Sequence, residues 1–284
     1  MKLLIETTDY AITMDKINDL KNSTFDKSVI FHCYWNGELT EKHYNSILSC
    51  YYFNIFKNSK KTAPHKIILW IENNIPNQYN EKIAKYAEIR EFSLEVEKMD
   101  TFLENTTLKY NPSLSFYSDT VRYVLLYKHG GCWFDLDCLI LRSFDPLFNA
   151  YESEICVYQW ENQNFPNGAI YISLEPKSEK MKKNIEFIIQ RNCGWGFCEA
   201  HLTYDLPLDL LVLPCSWFDA CWILNPFNFG SGNLFEETDT IYTFENFFPG
   251  AFCFHWHNHW SNPIHEKSPM NQLIQIIEQD INIK

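Results

Sequence analysis

The stretch "SDTVRYVLLYKHGGCWFDLDCLIL", Ser118 to Leu141, decides how this chain is read. Its first part has helical spacing. Asp119 and Arg122, three residues apart, share one face, while Val121, Val124 and Leu125 turn toward a core. Gly130-Gly131 then breaks the helix. The segment that follows is built of Cys, Trp, Phe, Leu and Ile and reads as a buried strand. Period-two alternation along that strand puts Asp135 and Asp137 on the same face. An uncompensated buried carboxylate costs several kcal/mol or neutralises. Two on one face need a partner, and a divalent cation is the obvious one. Asp-x-Asp alone is common by chance; the preceding helix and glycine break give it weight.

The whole block resembles the donor-binding core of the DXD glycosyltransferases with a GT-A fold. The likeness is to the mannosyltransferase-like family 32, the α-1,4-galactosyltransferases and the glucosylating domains of large clostridial toxins. Their signature is Ser-Asp, an Arg three residues on, Gly-Gly, then an aromatic before Asp-x-Asp. Here it reads Ser118-Asp119, Arg122, Gly130-Gly131, Phe134 and Asp135-Leu136-Asp137. The resemblance implies a Rossmann-like, nucleotide-sugar-binding α/β domain that transfers sugar from a nucleotide sugar, with a UDP-sugar favoured. It implies Asp137 as metal ligand, and Asp135 as a ribose or sugar contact with a secondary metal role. Asp119 would bind donor-sugar hydroxyls, and Arg122 would reach the sugar or diphosphate with its planar fork. Carboxylates plus one imidazole suit Mn²⁺, with Mg²⁺ the alternative. The plainer readings are exposed carboxylates at a strand end and a solvent-facing Asp119–Arg122 pair worth a few tenths of a kcal/mol.

The imidazole should come from "AFCFHWHNHWSNPIH", Ala251 to His265, which holds four of the nine histidines. In the resembled family a strand here ends in His, followed by Asn and Trp. His255, Asn258 and Trp260 fit, and His257 stands where a Trp often does. His255 is therefore the implied ligand, with His257 in reserve on the same face. As an independent zinc site the histidine cluster lacks an evident fourth ligand.

Three further stretches carry a likeness. "FHCYWNG" resembles the family's first strand, whose Trp stacks on uracil; Trp35 takes that place, with Tyr34 beside it. Stacking does not itself select uracil over guanine; the plainer reading of Trp35 is a ring capping the strand as core. Asn167 and Gly168 correspond to an acceptor-side Asn-Gly, although Asn-Gly is also hairpin chemistry. Trp217 and Trp222, in "LPCSWFDACW", would line an acceptor groove as rings pack on sugar faces, or pack the core.

Around these motifs the pattern alternates strand and helix. Strands are expected at Val29 to Trp35, ending at the Asn36-Gly37 turn, at His65 to Glu72 and near Ile89 to Leu94. Helices are expected over Leu39 to Phe56, Tyr79 to Phe92 and Ser268 to Lys284. Such alternation predicts a mixed, mainly parallel sheet flanked by helices, with ligands at the strands' carboxyl ends. The 284 residues read as one domain. Residues 1–145 would form the nucleotide-sugar half and 146–284 the acceptor-side half.

A net charge of −12 and the lack of a basic, aromatic-interleaved block exclude a nucleic-acid groove. No run approaches the ~18 apolar residues of a membrane span. The N-terminal apolar run is interrupted by Glu6 and Asp9, unlike a signal peptide. The expectation is a soluble, cytoplasmic protein in which the Asn-x-Ser/Thr sites at Asn22 and Asn105 stay unmodified. Ten cysteines without a Cys-x-x-Cys pair read as free buried thiols. The partners expected are a nucleotide-sugar donor and a glycan or glycoprotein acceptor. No carboxylate stands out as a covalent nucleophile and the resembled families retain configuration, so front-face transfer is expected. A haloacid-dehalogenase-like phosphatase also ends a strand in Asp-x-Asp, but wants Thr or Val where Leu139 stands. A non-catalytic sugar-binding protein is the remaining alternative.

Overall fold

The computed structural model describes residues 2–3, 25–58, 61–106, 108, 114–160, 166–190, 208–222 and 228–283. Asn22, Cys193, Cys198, Glu6 and Asp9 lie outside these ranges. The sheet is built on β2 (Ile30–Glu38), which pairs in parallel with β3 (Lys66–Ile75) and with β5 (Gly131–Phe134). Strand β4 (Glu88–Glu91) extends it beyond β3. On the far side of β5 runs β8 (Asn167–Ser173), antiparallel to it, then β7 (Cys156–Tyr158), β9 (Leu211–Leu213) and the short β1 (Lys2–Leu3). The order is β1-β9-β7-β8-β5-β2-β3-β4, and only the pairings of β8 are antiparallel.

Strands covered on both faces should be apolar where they are covered, and β3 is so from Ile67 to Ile71. Ile67, Leu69 and Ile71 face one core, together with Ile47 and Leu48 of α1 (Glu41–Tyr51) and Leu273 and Ile277 of a C-terminal helix, Pro269–Ile283. Ile68 and Trp70 face the other core. There they meet Val121, Val124 and Leu125 of the helix Leu114–His129, and Met181 and Ile185 of the helix Glu179–Gln190. In chain order the helices are α1, α2 (Gln78–Ile83), α3 (Leu94–Lys98), α4 (Leu114–His129), α5 (Asp145–Ala150), α6 (Glu179–Gln190) and α7 (Pro269–Ile283). The expected α/β architecture is present. Among the described residues no helix is long and apolar enough to cross a membrane. The described cysteines are free thiols, buried except for Cys221.

Several local expectations need correcting. The strand carrying the two aspartates is not continuous. It leaves the large sheet at Asp135, whose N–H donates to the Ala169 carbonyl (2.8 Å), and turns there, Cys138 N–H reaching the Asp135 carbonyl (3.1 Å). The chain then enters β6 (Cys138–Ile140), which pairs with β10 (Cys253–His255) in a separate antiparallel ribbon. Asp135 and Asp137 therefore stand on a turn between two sheets, not on one strand face. Asn36-Gly37 does not end β2; the strand passes through with a register shift and Gly37 at φ +110°. The helix beginning near Tyr79 stops at Ile83, and α1 gives way after Tyr51 to a wider helical turn, Tyr52–Phe56.

The α4–β5 junction does need its glycines. Gly130 and Gly131 have φ of +63° and +119°. A Cβ on either would lie 2.3 Å from a carbonyl oxygen, of Leu174 or Ile30 respectively.

Candidate active site

The carboxyl ends of β2 and β5, the turn after β5 and the segment after β10 enclose a cleft of about 510 Å3. Trp35, Asp119, Arg122, Asp135, Asp137 and His255 all line it. Residues from four separate parts of the chain thus converge where an open α/β sheet binds ligands.

Arg122 lies in its wall, and its side chain is only 5% exposed. One guanidinium nitrogen pairs with Asp119 a turn earlier on α4, and another donates to the Gly168 carbonyl at the start of β8. The group lies 5.6 Å from the Trp133 ring and 3.7 Å from Asp135. The Asp119–Arg122 pair is accordingly no solvated helix-surface contact. Gly168 lines the cleft and also bears on Arg122. A Cβ there would fall 2.4 Å from the guanidinium carbon.

Beyond Arg122 the two aspartates diverge electrostatically. Burial raises the Asp135 carboxyl above its ordinary range, Arg122 opposing and Asp137 adding to the shift. Trp133 Nε1 donates to Asp135 at 2.6 Å. Burial would raise Asp137 too, but the charge and hydrogen bond of His255 and the Asn258 N–H (2.8 Å) bring it below its ordinary range. His255 Nε2 is 3.2 Å from Asp137 Oδ2. Burial pulls this imidazole down, yet Asp137 lifts it well above the usual histidine value. Its Nδ1 is 3.0 Å from the Tyr158 hydroxyl and 3.5 Å from Asp219. His257, one ring over at 4.0 Å, faces Asp219 instead, with Nε2 at 2.8 Å.

A divalent cation fits this donor set. A carboxylate oxygen and an imidazole nitrogen converge, and the far nitrogen of the ring is already held by outer partners, as in histidines that ligate metals. His257 does not share that position.

The remaining expected residues separate. Trp35 flanks the cleft, its Nε1 donating to the Glu38 carbonyl (2.9 Å) and its ring against His43 (4.1 Å) and Trp260 (4.9 Å). Tyr34 also lines the cleft and donates to Glu72 at 2.5 Å. Asn167 lines it too, its side-chain oxygen accepting from the Ala169 N–H (2.8 Å). Trp217 does not. It is 1% exposed and packs on Phe252 at 5.6 Å, so it belongs to the core and cannot line an acceptor groove. The side chain of Trp222 lies outside what the structure describes.

Sequence reasoning missed Asp219. This fully buried carboxylate accepts from Trp160 Nε1 (2.6 Å) and the Tyr158 hydroxyl (3.2 Å), besides facing both histidines. Burial would raise it, but hydrogen bonds from His255 and His257 hold it at about 2. The available signal was an Asp set inside the apolar "CSWFDACW", the same signal that singled out Asp135 and Asp137.

Residues 15–154 match the glycosyltransferase sugar-binding region containing a DXD motif. The chain carries a DXD-type glycosyltransferase region. The match spans Trp35, Asp119, Arg122, Asp135 and Asp137 and ends before His255. No curated protein matches the chain in sequence. Among solved structures it is similar to the bifunctional glycosyltransferase WbbM, at 9% identity and TM-score 0.46, covering 69% of this chain and 40% of that one. It is also similar to mouse xyloside xylosyltransferase 1 (12%, 0.43, covering 84% and 100%). A third is the galactosyltransferase LgtC in complex with donor and acceptor sugar analogs (8%, 0.42, covering 66% and 74%). The chain thus spans less than half the length of WbbM. The assignment of the DXD region rests on the motif-bearing stretch, and the α/β fold on the sheet order described above.

Proposed function

We propose that this chain is a metal-dependent glycosyltransferase that moves a sugar from a UDP-sugar to a glycan or glycoprotein acceptor with retention of configuration. The observation that carries the reading is the meeting of Asp137 and His255, 3.2 Å apart, in one cleft with the buried Arg122. In an acidic protein, an anionic donor needs such a local cationic centre. Asp137 and His255 would hold Mn²⁺ or Mg²⁺, with Asp135 contributing. The ion would stabilise negative charge on the departing diphosphate.

The protein's own residues supply the rest. Trp35 offers a fixed ring face to the base, with Tyr34 beside it. Asp135 and Asp119 accept hydrogen bonds from ribose and sugar hydroxyls, and Arg122 lies where charge develops on the leaving oxygen. The acceptor enters past Asn167, from the side built by residues 146–284. Its hydroxyl bonds to the anomeric carbon on the face that the diphosphate leaves. As the C–O bond to phosphate breaks, that phosphate oxygen takes the hydroxyl proton.

A donor screen tests this. UDP- and GDP-sugars are incubated with Mn²⁺ or EDTA, with and without simple glycan acceptors, and nucleotide release is measured for wild type and Asp137→Asn. Release of UDP from one donor is expected, abolished by EDTA and in the variant. Turnover that survives both would overturn the metal reading. Silence with every donor and acceptor would count against transfer itself. NMR of the product anomer separately checks retention, and an inverted product would rule out front-face transfer.

A further inference from the structure

Asp219 is the centre of a second cluster beside the first. Its two oxygens do different work. Oδ2 accepts from Trp160 Nε1 at 2.6 Å and from the Tyr158 hydroxyl at 3.2 Å. Those donors fix the plane of the carboxylate and turn Oδ1 toward two other ligand-type atoms. His257 Nε2 lies 2.8 Å from Oδ1 and Cys221 Sγ lies 3.5 Å from it. Ligand atoms of Asp219, Cys221 and His257 all fall within 4.8 Å of one another. Bonds of about 2.0–2.1 Å to nitrogen and oxygen and about 2.3 Å to sulfur put tetrahedral neighbours about 3.3–3.6 Å apart. The cluster needs only small side-chain shifts to reach that spacing.

We propose that Asp219, Cys221 and His257 form a zinc site, separate from the Asp137–His255 pair, whose fourth position opens on the cleft. Sulfur, nitrogen and oxygen donors together select a borderline-soft ion over Mn²⁺ or Mg²⁺. Three protein ligands with one open position is the arrangement of zinc sites that keep a water or substrate oxygen. His257 and Trp160 both line the cleft, so the open position faces a sugar hydroxyl or solvent. Trp160 and Tyr158 are the outer partners that orient the carboxylate ligand. Loading replaces the Cys221 thiol proton, which passes to solvent, and leaves His257 neutral with its remaining proton on Nδ1. The departure of His257 from the family pattern, where a Trp often stands, then has a chemical reason: it supplies the nitrogen of this site. The two centres touch through Asp219, which also lies 3.5 Å from His255 Nδ1.

Cobalt substitution gives a readout independent of donor turnover, and so of the transferase reading. The EDTA-stripped chain is titrated with Co²⁺ alone and followed by absorbance. A cysteine-ligated, four-coordinate Co²⁺ gives a sulfur-to-metal charge-transfer band in the near ultraviolet; because Cys138 lies beside Asp137 and His255, the variants assign the band to its centre. The expected result is a saturable band that is displaced by Zn²⁺. It should persist in Asp137→Asn and be lost in Cys221→Ser and His257→Ala. Absence of the band in folded wild-type protein would overturn the proposal. So would its survival in Cys221→Ser, which would place the thiolate elsewhere, or its loss in Asp137→Asn with the fold intact by circular dichroism.

Discussion

Gly168 owes its importance to what a side chain there would strike. Its carbonyl receives the Arg122 guanidinium, and an added Cβ would meet that group at 2.4–2.6 Å. Gly168→Ala should therefore displace Arg122 while leaving the sheet intact. Donor turnover is expected to fall by up to about 100-fold, the usual consequence of ångström-scale misplacement. The thermal midpoint should move little. Measuring kcat beside a melting curve separates this from general unfolding, and unchanged kcat would remove Arg122 from the reaction. Asp219 allows a second test at this scale. Asp219→Asn keeps the shape but withdraws the charge that faces His255 and His257, and loss of such an outer partner typically costs 10–100-fold in metal affinity. Mn²⁺ titration by electron paramagnetic resonance should show that loss, with Asp137 unaltered. These two residues also mark where sequence reading stopped. Arg122 was legible because its partner Asp119 lies one helical turn away. Asp219 was not, because its partners Tyr158, Trp160, His255 and His257 lie 36 to 61 residues distant on irregular segments. Trp217 was misplaced for the converse reason: an aromatic beside apolar residues looks the same whether it lines a groove or fills the core.

At the scale of elements, the long periodic segments were readable and the junctions were not. Both core faces of β3 follow from its alternation, and α4 follows from Val121, Val124 and Leu125. The break of the aspartate strand at Asp135 did not follow, because nothing local in "WFDLDCLI" opposes continuation. The turn forms because β6 finds β10, more than a hundred residues later. The α4–β5 junction shows the opposite case, in which the sequence states its own geometry. Gly131 holds φ +119° and its missing Cβ leaves room for the Ile30 carbonyl, 2.3 Å from where that atom would lie. Gly131→Ala must shift β5 against β2 or strain the turn, and a loss of roughly 2–4 kcal/mol is expected. Urea denaturation would measure it. A loss under about 0.5 kcal/mol would mean that the junction relaxes without cost, and that the position of Asp135 does not depend on it.

The whole molecule has an acid limit set by histidines that burial holds neutral. His32, fully buried on β2, accepts from Trp70 Nε1 (3.0 Å) through Nδ1, which leaves Nε2–H to donate to the Gly130 carbonyl (3.0 Å). That neutral tautomer joins β2, β3 and the α4–β5 junction, and burial pushes its pKa down to about 3. His43, at the back of the Trp35–Trp260 wall, is likewise pushed by burial to about 3. As pH falls below 6.5 the unfolded chain protonates both rings while the folded chain keeps them neutral. The unfolded state then binds more protons, so stability drops with falling pH, by up to about 1.4 kcal/mol per pH unit for each ring. His257, also lowered, acts in the same sense. His255 is raised, so below pH 6.5 it is protonated in both states and adds no slope; its contribution is lost only as pH rises through its folded value. Urea midpoints measured from pH 6.5 to 5.5, above the ordinary carboxylate range, should therefore fall steadily. His32→Gln, which cannot take the proton, should flatten the slope by up to about 1.4 kcal/mol per unit even though it lowers stability at pH 7. An unchanged slope would mean that His32 is protonated in the folded state. The junction that carries Asp135 to the cleft would then be held by something other than this imidazole.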